Sequence, residues 1–144
     1  MIRMEQKHMG ACVGLFVDTF TNPPWDYGWM RREKIVVYFA DLWRTPGFRG
    51  FVVLRDDVVC AACLGILTDY FAVPTYEIKE IYVSRTLQGE GIGSAFLAEI
   101  EAELAAEGVP VVTLYTQRTI PAYEFYTKRG YAAAHDAVMM NKMI

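Results

Sequence analysis

Between a strand-like run and a helix-like run, Gln88-Gly89-Glu90-Gly91-Ile92-Gly93 sets three glycines at alternate positions. Glycine adopts backbone angles closed to other residues and carries no side chain, so a ligand can touch the main chain there. The first turn of the helix that follows offers N–H groups without intrahelical acceptors and a positive partial charge. A diphosphate fits such a turn without any lysine, and the Ser94 hydroxyl adds a donor. Two familiar phosphate loops fit poorly. A dinucleotide fingerprint counted from Gly89 needs glycine where Ser94 stands, and a nucleoside triphosphate loop needs the lysine that Gly93-Ser94 lacks. Spacing alone also permits a plain tight connection between strand and helix.

Other reactive side chains are less decisive. Cys60 and Cys63 form a CxxC inside the apolar run 58–67, where strand geometry sends them to opposite faces, and His8 and His135 complete no zinc-like spacing. Small buried core residues are expected there, and no metal site. The stretch Asn22-Pro23-Pro24-Trp25-Asp26-Tyr27-Gly28-Trp29 is rich in rings and carries one carboxylate. It suits a cationic amine through cation–π contact, with charge balance from Asp26 or Asp18. The favoured reading is that Trp25 and Trp29, four apart at a helix start, simply pack on the core.

The elements that must position these groups follow from periodicity. Residues 1–3 read as a short strand, and Val13, Phe16, Val17 and Phe20 mark a helix that stops near Asn22-Pro23-Pro24. A second helix is predicted over 26–43, closed by Pro46-Gly47. Residues 51–54 and 58–67 flank Arg55-Asp56-Asp57 as a hairpin, and a further strand is predicted over 76–84. The clearest helix covers 91–107, with Gly108 at its C-terminal cap. A β-branched strand spans 110–116, a last helix runs from Pro121 to Gly130, and residues 131–143 supply one or two closing strands.

These elements fit one domain over residues 1–144, a mixed α/β layered fold with a sheet of six or seven strands. The net charge is −3, and no run of Lys and Arg exceeds Arg31-Arg32, which argues against a nucleic-acid partner. No stretch reaches the ~18 apolar residues of a membrane helix, and three cysteines are too few for a disulfide framework. A cytoplasmic protein without a membrane partner is expected, and a homodimer is left open.

At Gln88–Gly93 the sequence resembles the Q/R-x-x-G-x-G/A motif of the GCN5-related N-acetyltransferase (GNAT) family. Ile81-Tyr82-Val83-Ser84 also matches. Ala122-Tyr123-Glu124-Phe125-Tyr126-Thr127-Lys128-Arg129-Gly130-Tyr131 is similar to the family's A-x-x-F-Y-x-x-x-G-F/Y signature. Two separated motifs, in order and on the right elements, cover residues 50–144 well and the first 50 loosely. The resemblance implies a mostly antiparallel sheet splayed at its centre and flanked by about four helices. The strand carrying Ile81, Tyr82 and Val83 would part from the strand 111–116, and the pantetheine arm of acetyl-CoA would enter the wedge.

The family's chemistry implies acetyl transfer to a primary amine of a small molecule or peptide, within a ternary complex. A backbone N–H near Ile81–Tyr82 would polarise the thioester, and Tyr126 matches the tyrosine that protonates the departing thiolate. The base is expected to be Glu77 or Glu80. A regular strand points residues three apart to opposite faces, and the β-bulge that this family often carries alters that parity. Coenzyme contacts are expected from Ile81, Tyr82, Val83, Gln88, Gly89, Gly91, Ile92, Gly93, Ser94, Thr119 and Tyr126, and acceptor contacts from Trp25, Asp26 and Trp29. Thr119 departs from the family's usual Asn. A non-catalytic acyl-CoA sensor is the principal alternative, and an ATP- or NAD-binding protein a third.

Overall fold

The β-branched and aromatic residues between Phe48 and Val83 are interrupted by two short turns, and they fold as three consecutive antiparallel strands. These are β2 (Phe48–Arg55), β3 (Val58–Tyr70) and β4 (Val73–Val83). Asp56-Asp57 and Phe71-Ala72 make the turns, all four residues having φ between 49° and 64°. Paired left-handed residues match the twist of the flanking strands. The computed structural model describes residues 1–23 and 25–144, so Pro24 of the expected first helix stop lies outside the described residues.

A short β1 (Ile2–Arg3) pairs antiparallel with β2, and β5 (Val111–Leu114) pairs parallel with β4, giving the order β1-β2-β3-β4-β5. The sheet is mostly antiparallel, as expected, but the described residues form five strands rather than six or seven. Residues 131–144 carry no strand. Ala132, Ala133 and Ala134 have low strand propensity, and a strand exists only where a ladder satisfies its backbone.

Two helices cover one face of the sheet. α1 (Met9–Phe20) and α2 (Arg32–Arg44) bury Cys12, Val13, Phe16, Phe39 and Leu42 against Val52, Val59, Ala62, Leu64, Ile66 and Tyr82. α2 begins at Arg32, not at Asp26. Asp26 takes φ 50°, Tyr27 N–H donates to the Phe20 carbonyl at 2.8 Å, and Arg31 is extended, so residues 25–31 form an irregular connection. α3 (Ile92–Ala106) buries Phe96, Leu97, Ile100 and Leu104. Phe51 and Tyr76 lie on the sheet face opposite α1 and α2, their rings edge to face at 6.1 Å. Arg3 sits over the Phe51 ring and pairs with Glu103 of α3 and with Glu107.

The chain falls into two compact units, Met1–Leu114 and Tyr115–Ile144. The second contains α4 (Pro121–Thr127), which starts at the expected proline and stops three residues before Gly130. No described helix is long and apolar enough to cross a membrane.

Candidate functional site

The register of β4 decides where its carboxylates point. Leu64 pairs with Glu80 but Gly65 pairs with Ile78, so Lys79 is an extra residue, a β-bulge. Tyr76, before the bulge, faces away from α1 and α2, whereas Tyr82, after it, packs edge to face on Phe16 of α1 at 5.2 Å. The inserted residue restores parity between Glu77 and Glu80, and both carboxylates lie on the α1/α2 face. Gly65 has a steric role opposite the bulge: a Cβ there would overlap the Tyr76 ring.

Glu80 is partly buried and accepts a hydrogen bond from the Tyr38 hydroxyl of α2 at 3.0 Å. Burial pushes its carboxyl up from 4.5 to about 7, and the bond from Tyr38 pulls the other way. Tyr38 itself is pushed up, first by burial, then by the charges of Glu80 and Glu77 and by the bond to Glu80. Glu77 pairs with Lys79 Nζ at 2.7 Å. Glu80 is thus a desolvated carboxyl held near neutrality on the face covered by α1 and α2.

Glu80 also lies where the sheet opens. β5 pairs with β4 only from Thr75↔Val111 to Ile78↔Leu114, and among the described residues no strand continues along the β5 side of residues 79–83. Ile81, Tyr82 and Val83 thus present one backbone edge without a ladder, as a splayed sheet requires. The Tyr82 side chain is turned the other way from a coenzyme role: its hydroxyl donates to the Cys12 carbonyl at 2.9 Å inside the core.

Beyond β4 the chain makes a 3-10 turn (Arg85–Leu87), and the Gln88 amide donates to the Val83 carbonyl at 3.2 Å, folding the turn back on the strand. Gly89 and Gly91 take φ 86° and 80°, and a Cβ at either would meet nothing within 4 Å. Their need for glycine therefore comes from backbone conformation, and the space beside them is open. Gly91 is the N-cap of α3 and brings no capping side chain to the first-turn N–H groups. Ile92, Gly93 and Ser94 form its first turn.

In the connection before α2, Trp25 stands 5.6 Å from Phe20 and 6.2 Å from Tyr27, and Tyr27 stands 5.9 Å from Trp29. Trp29 is 76% exposed, so it does not pack on the core, and Asp26 is exposed beside this ring ladder. Asp18 pairs with Arg85 at 3.3 Å. Tyr126, in the second unit, is buried with Phe125 and Tyr131 at 5.2 and 5.4 Å, and Thr119 precedes the same helix. Cys12, Cys60 and Cys63 are free and buried, and among the described residues no group of three metal-binding side chains gathers.

Tyr38 is not among the site residues expected from the sequence, and Tyr27 figures there only as one ring of the stretch 22–29. Tyr38 adjoins Phe39 on the apolar side of α2, a placement that aims a tyrosine at the sheet and offered the one available signal.

A mostly antiparallel sheet that opens beside its fourth strand, followed by a glycine turn at a helix head, defines the acetyltransferase class of α/β fold. The model of the acetyltransferase (GNAT) family matches residues 14–131, and the chain belongs to that family of acyltransferase enzymes. Solved structures of the same fold include a transcriptional regulator from Bacillus halodurans C-125, at 17% identity and TM-score 0.76, covering 98% of this chain and 97% of that one. An aminoglycoside acetyltransferase from an uncultured soil metagenomic sample, in complex with sisomicin, aligns at 15% identity and TM-score 0.74, over 99% of this chain and 94% of its own. AAC(6')-Iy, in complex with the bisubstrate analog CoA-S-monomethyl-acetylneamine, aligns at 12% identity and TM-score 0.74, over 99% and 97%. No curated protein matches the sequence significantly.

Proposed function

We propose that the chain is an acetyl-CoA-dependent N-acetyltransferase that acetylates a primary amine of a small molecule or peptide by direct transfer in a ternary complex. The observation that carries this reading is the bulge at Lys79, which sets Glu80 beside the opening of the sheet with a carboxyl held near neutrality. Acetyl-CoA supplies the activated acyl group. Its diphosphate would lie at Gly89, Gly91 and the first turn of α3, and its pantetheine arm along the free edge of residues 81–83.

Glu80 takes the proton from the ammonium of the acceptor, and Glu77 lies on the same face, paired with Lys79. Tyr126 gives its phenolic proton to the departing thiolate and is restored by the proton that the acylated nitrogen loses as the amide forms, a role that rests on its place in the family signature. The ladder Trp25–Tyr27–Trp29 with Asp26 receives the cationic acceptor. Family neighbours that bind aminoglycoside-type amines support an amine of that general charge. A cytoplasmic setting fits three free thiols.

The test is thiol release from acetyl-CoA across a panel of sisomicin, spermidine and a lysine peptide. Glu80→Gln is expected to lower kcat/KM by about 100-fold or more, the usual worth of a positioned base. A wild-type rate in that variant would remove Glu80 from the mechanism. Tight acetyl-CoA binding without release on any amine would return the chain to the sensor reading.

A further inference from the structure

We infer that Tyr38 is a positioning residue for this transfer: its hydroxyl, reaching from α2 to β4, fixes Glu80 by its Oε1 and leaves the other carboxylate oxygen for the proton of the amine. The inference rests on the assignment of Glu80 as base. Among the described residues Tyr38 is the donor that Glu80 has, and the two are 42 positions apart in sequence, so only the packing of α2 on the sheet joins them.

That packing is a closed chain of rings. Tyr38 meets Phe39 edge to face at 5.8 Å, Phe39 is fully buried and meets Phe16 at 5.2 Å, and Phe16 meets Tyr82 at 5.2 Å, two residues from Glu80 on the same strand. The hydroxyl is thus held relative to the strand it bonds, and cannot drift without disturbing the core beneath. A phenylalanine would preserve every ring contact and remove only the donor.

The donor also acts on the proton. A hydrogen bond to the ionised carboxylate favours that form, against burial, which favours the neutral one. The other titratable groups around Glu80 leave this balance to Tyr38. Cys63 of β3 and Cys12 of α1 are both pushed up to about 12 by burial, and Tyr82 of β4 is pushed up as well, so all three are neutral. Glu77 is matched by Lys79, Asp18 of α1 by Arg85, and β5 carries no titratable side chain.

The experiment follows the Glu80 side-chain carboxyl carbon by NMR through a pH titration, its signal assigned by loss in Glu80→Gln, alongside kcat/KM for thiol release. In Tyr38→Phe the midpoint and the acid limb of the rate are expected to rise together by about one pH unit, the worth of one charge-assisted hydrogen bond. Above that limb the rate recovers to within a few-fold of wild type. Replacing Tyr38 with 3-fluorotyrosine, a stronger donor, moves the midpoint down, an opposite sign that lost packing would not produce. A uniform loss of rate at all pH with an unmoved midpoint overturns the inference, as does a midpoint unmoved in both variants. If Glu80→Gln loses activity while Tyr38→Phe leaves the limb in place, Tyr38 falls and Glu80 stands as base. If Glu80→Gln keeps the wild-type limb, the base assignment falls and takes the inference with it.

Discussion

Holding a carboxyl near neutrality has a thermodynamic cost that Glu80→Gln should return as stability. In the unfolded chain the group ionises at its ordinary value of 4.5, and in the folded protein at about 7. Below 4.5 it is protonated in both states and costs nothing. Between 4.5 and 7 the folded state binds more protons than the unfolded state, so stability falls as pH rises; above 7 the loss is complete. At about 1.4 kcal/mol per pH unit, the full loss is up to about 3 kcal/mol. A glutamine has the same shape, stays neutral, and still accepts from the Tyr38 hydroxyl through its amide oxygen. The variant should therefore melt close to wild type at pH 4.5 and above it at pH 8, by up to about 10 °C for a chain of this size. Paired thermal melts and urea titrations across pH 4–8 read the difference, and the other carboxylates, common to both proteins, cancel. A difference that is constant with pH, or a less stable variant at pH 8, would refute the argument that β4 holds a desolvated carboxyl.

Two further outcomes test the ends of the site. Gly91→Ala places a Cβ on a residue with φ 80°, at a conformational cost of about 1–2 kcal/mol and with no clash, since nothing lies within 4 Å. The variant should melt slightly lower and bind acetyl-CoA about tenfold more weakly, by calorimetry, because relaxing the strain swings the α3 N–H groups away from the diphosphate. Unchanged affinity would place the diphosphate elsewhere. Trp29→Ala removes a ring that is 76% exposed, so melting should stay within about 0.5 kcal/mol of wild type. The acceptor KM should rise several-fold while kcat and the KM for acetyl-CoA hold, since a cation–π contact is worth about 0.5–1 kcal/mol at an exposed site.

What was legible in the sequence was whatever is fixed locally. The glycine turn, the Asp56-Asp57 hairpin and the body of α3 depend on backbone preferences and a helical period, and each lies where the residues put it. The start of α2 was misplaced because the periodicity of Trp25 and Trp29 imitates a helix, while the bond from Tyr27 N–H to the Phe20 carbonyl holds the chain out of one. The closing strands over 131–143 were overestimated, since apolar residues such as Val138 and Met140 satisfy a pattern without any ladder to join; both are more than three-quarters exposed.

The site turns on features of a different kind. A bulge is a mismatch in register between two strands, so nothing in Ile78-Lys79-Glu80 by itself distinguishes a bulged residue from a paired one. Gly65 supplies the missing half: its bare Cα admits the Tyr76 ring on the far face, directly beside the slip in register. With Tyr76 anchored there by its bond to the Arg49 carbonyl at 2.9 Å, and Tyr82 anchored on the near face by its bond to the Cys12 carbonyl, the strand must change parity between them. Two buried tyrosines facing opposite ways, six residues apart, cannot be joined by a regular strand. The bulge is the extra residue that satisfies both, and Glu80 reaches Tyr38 as its consequence.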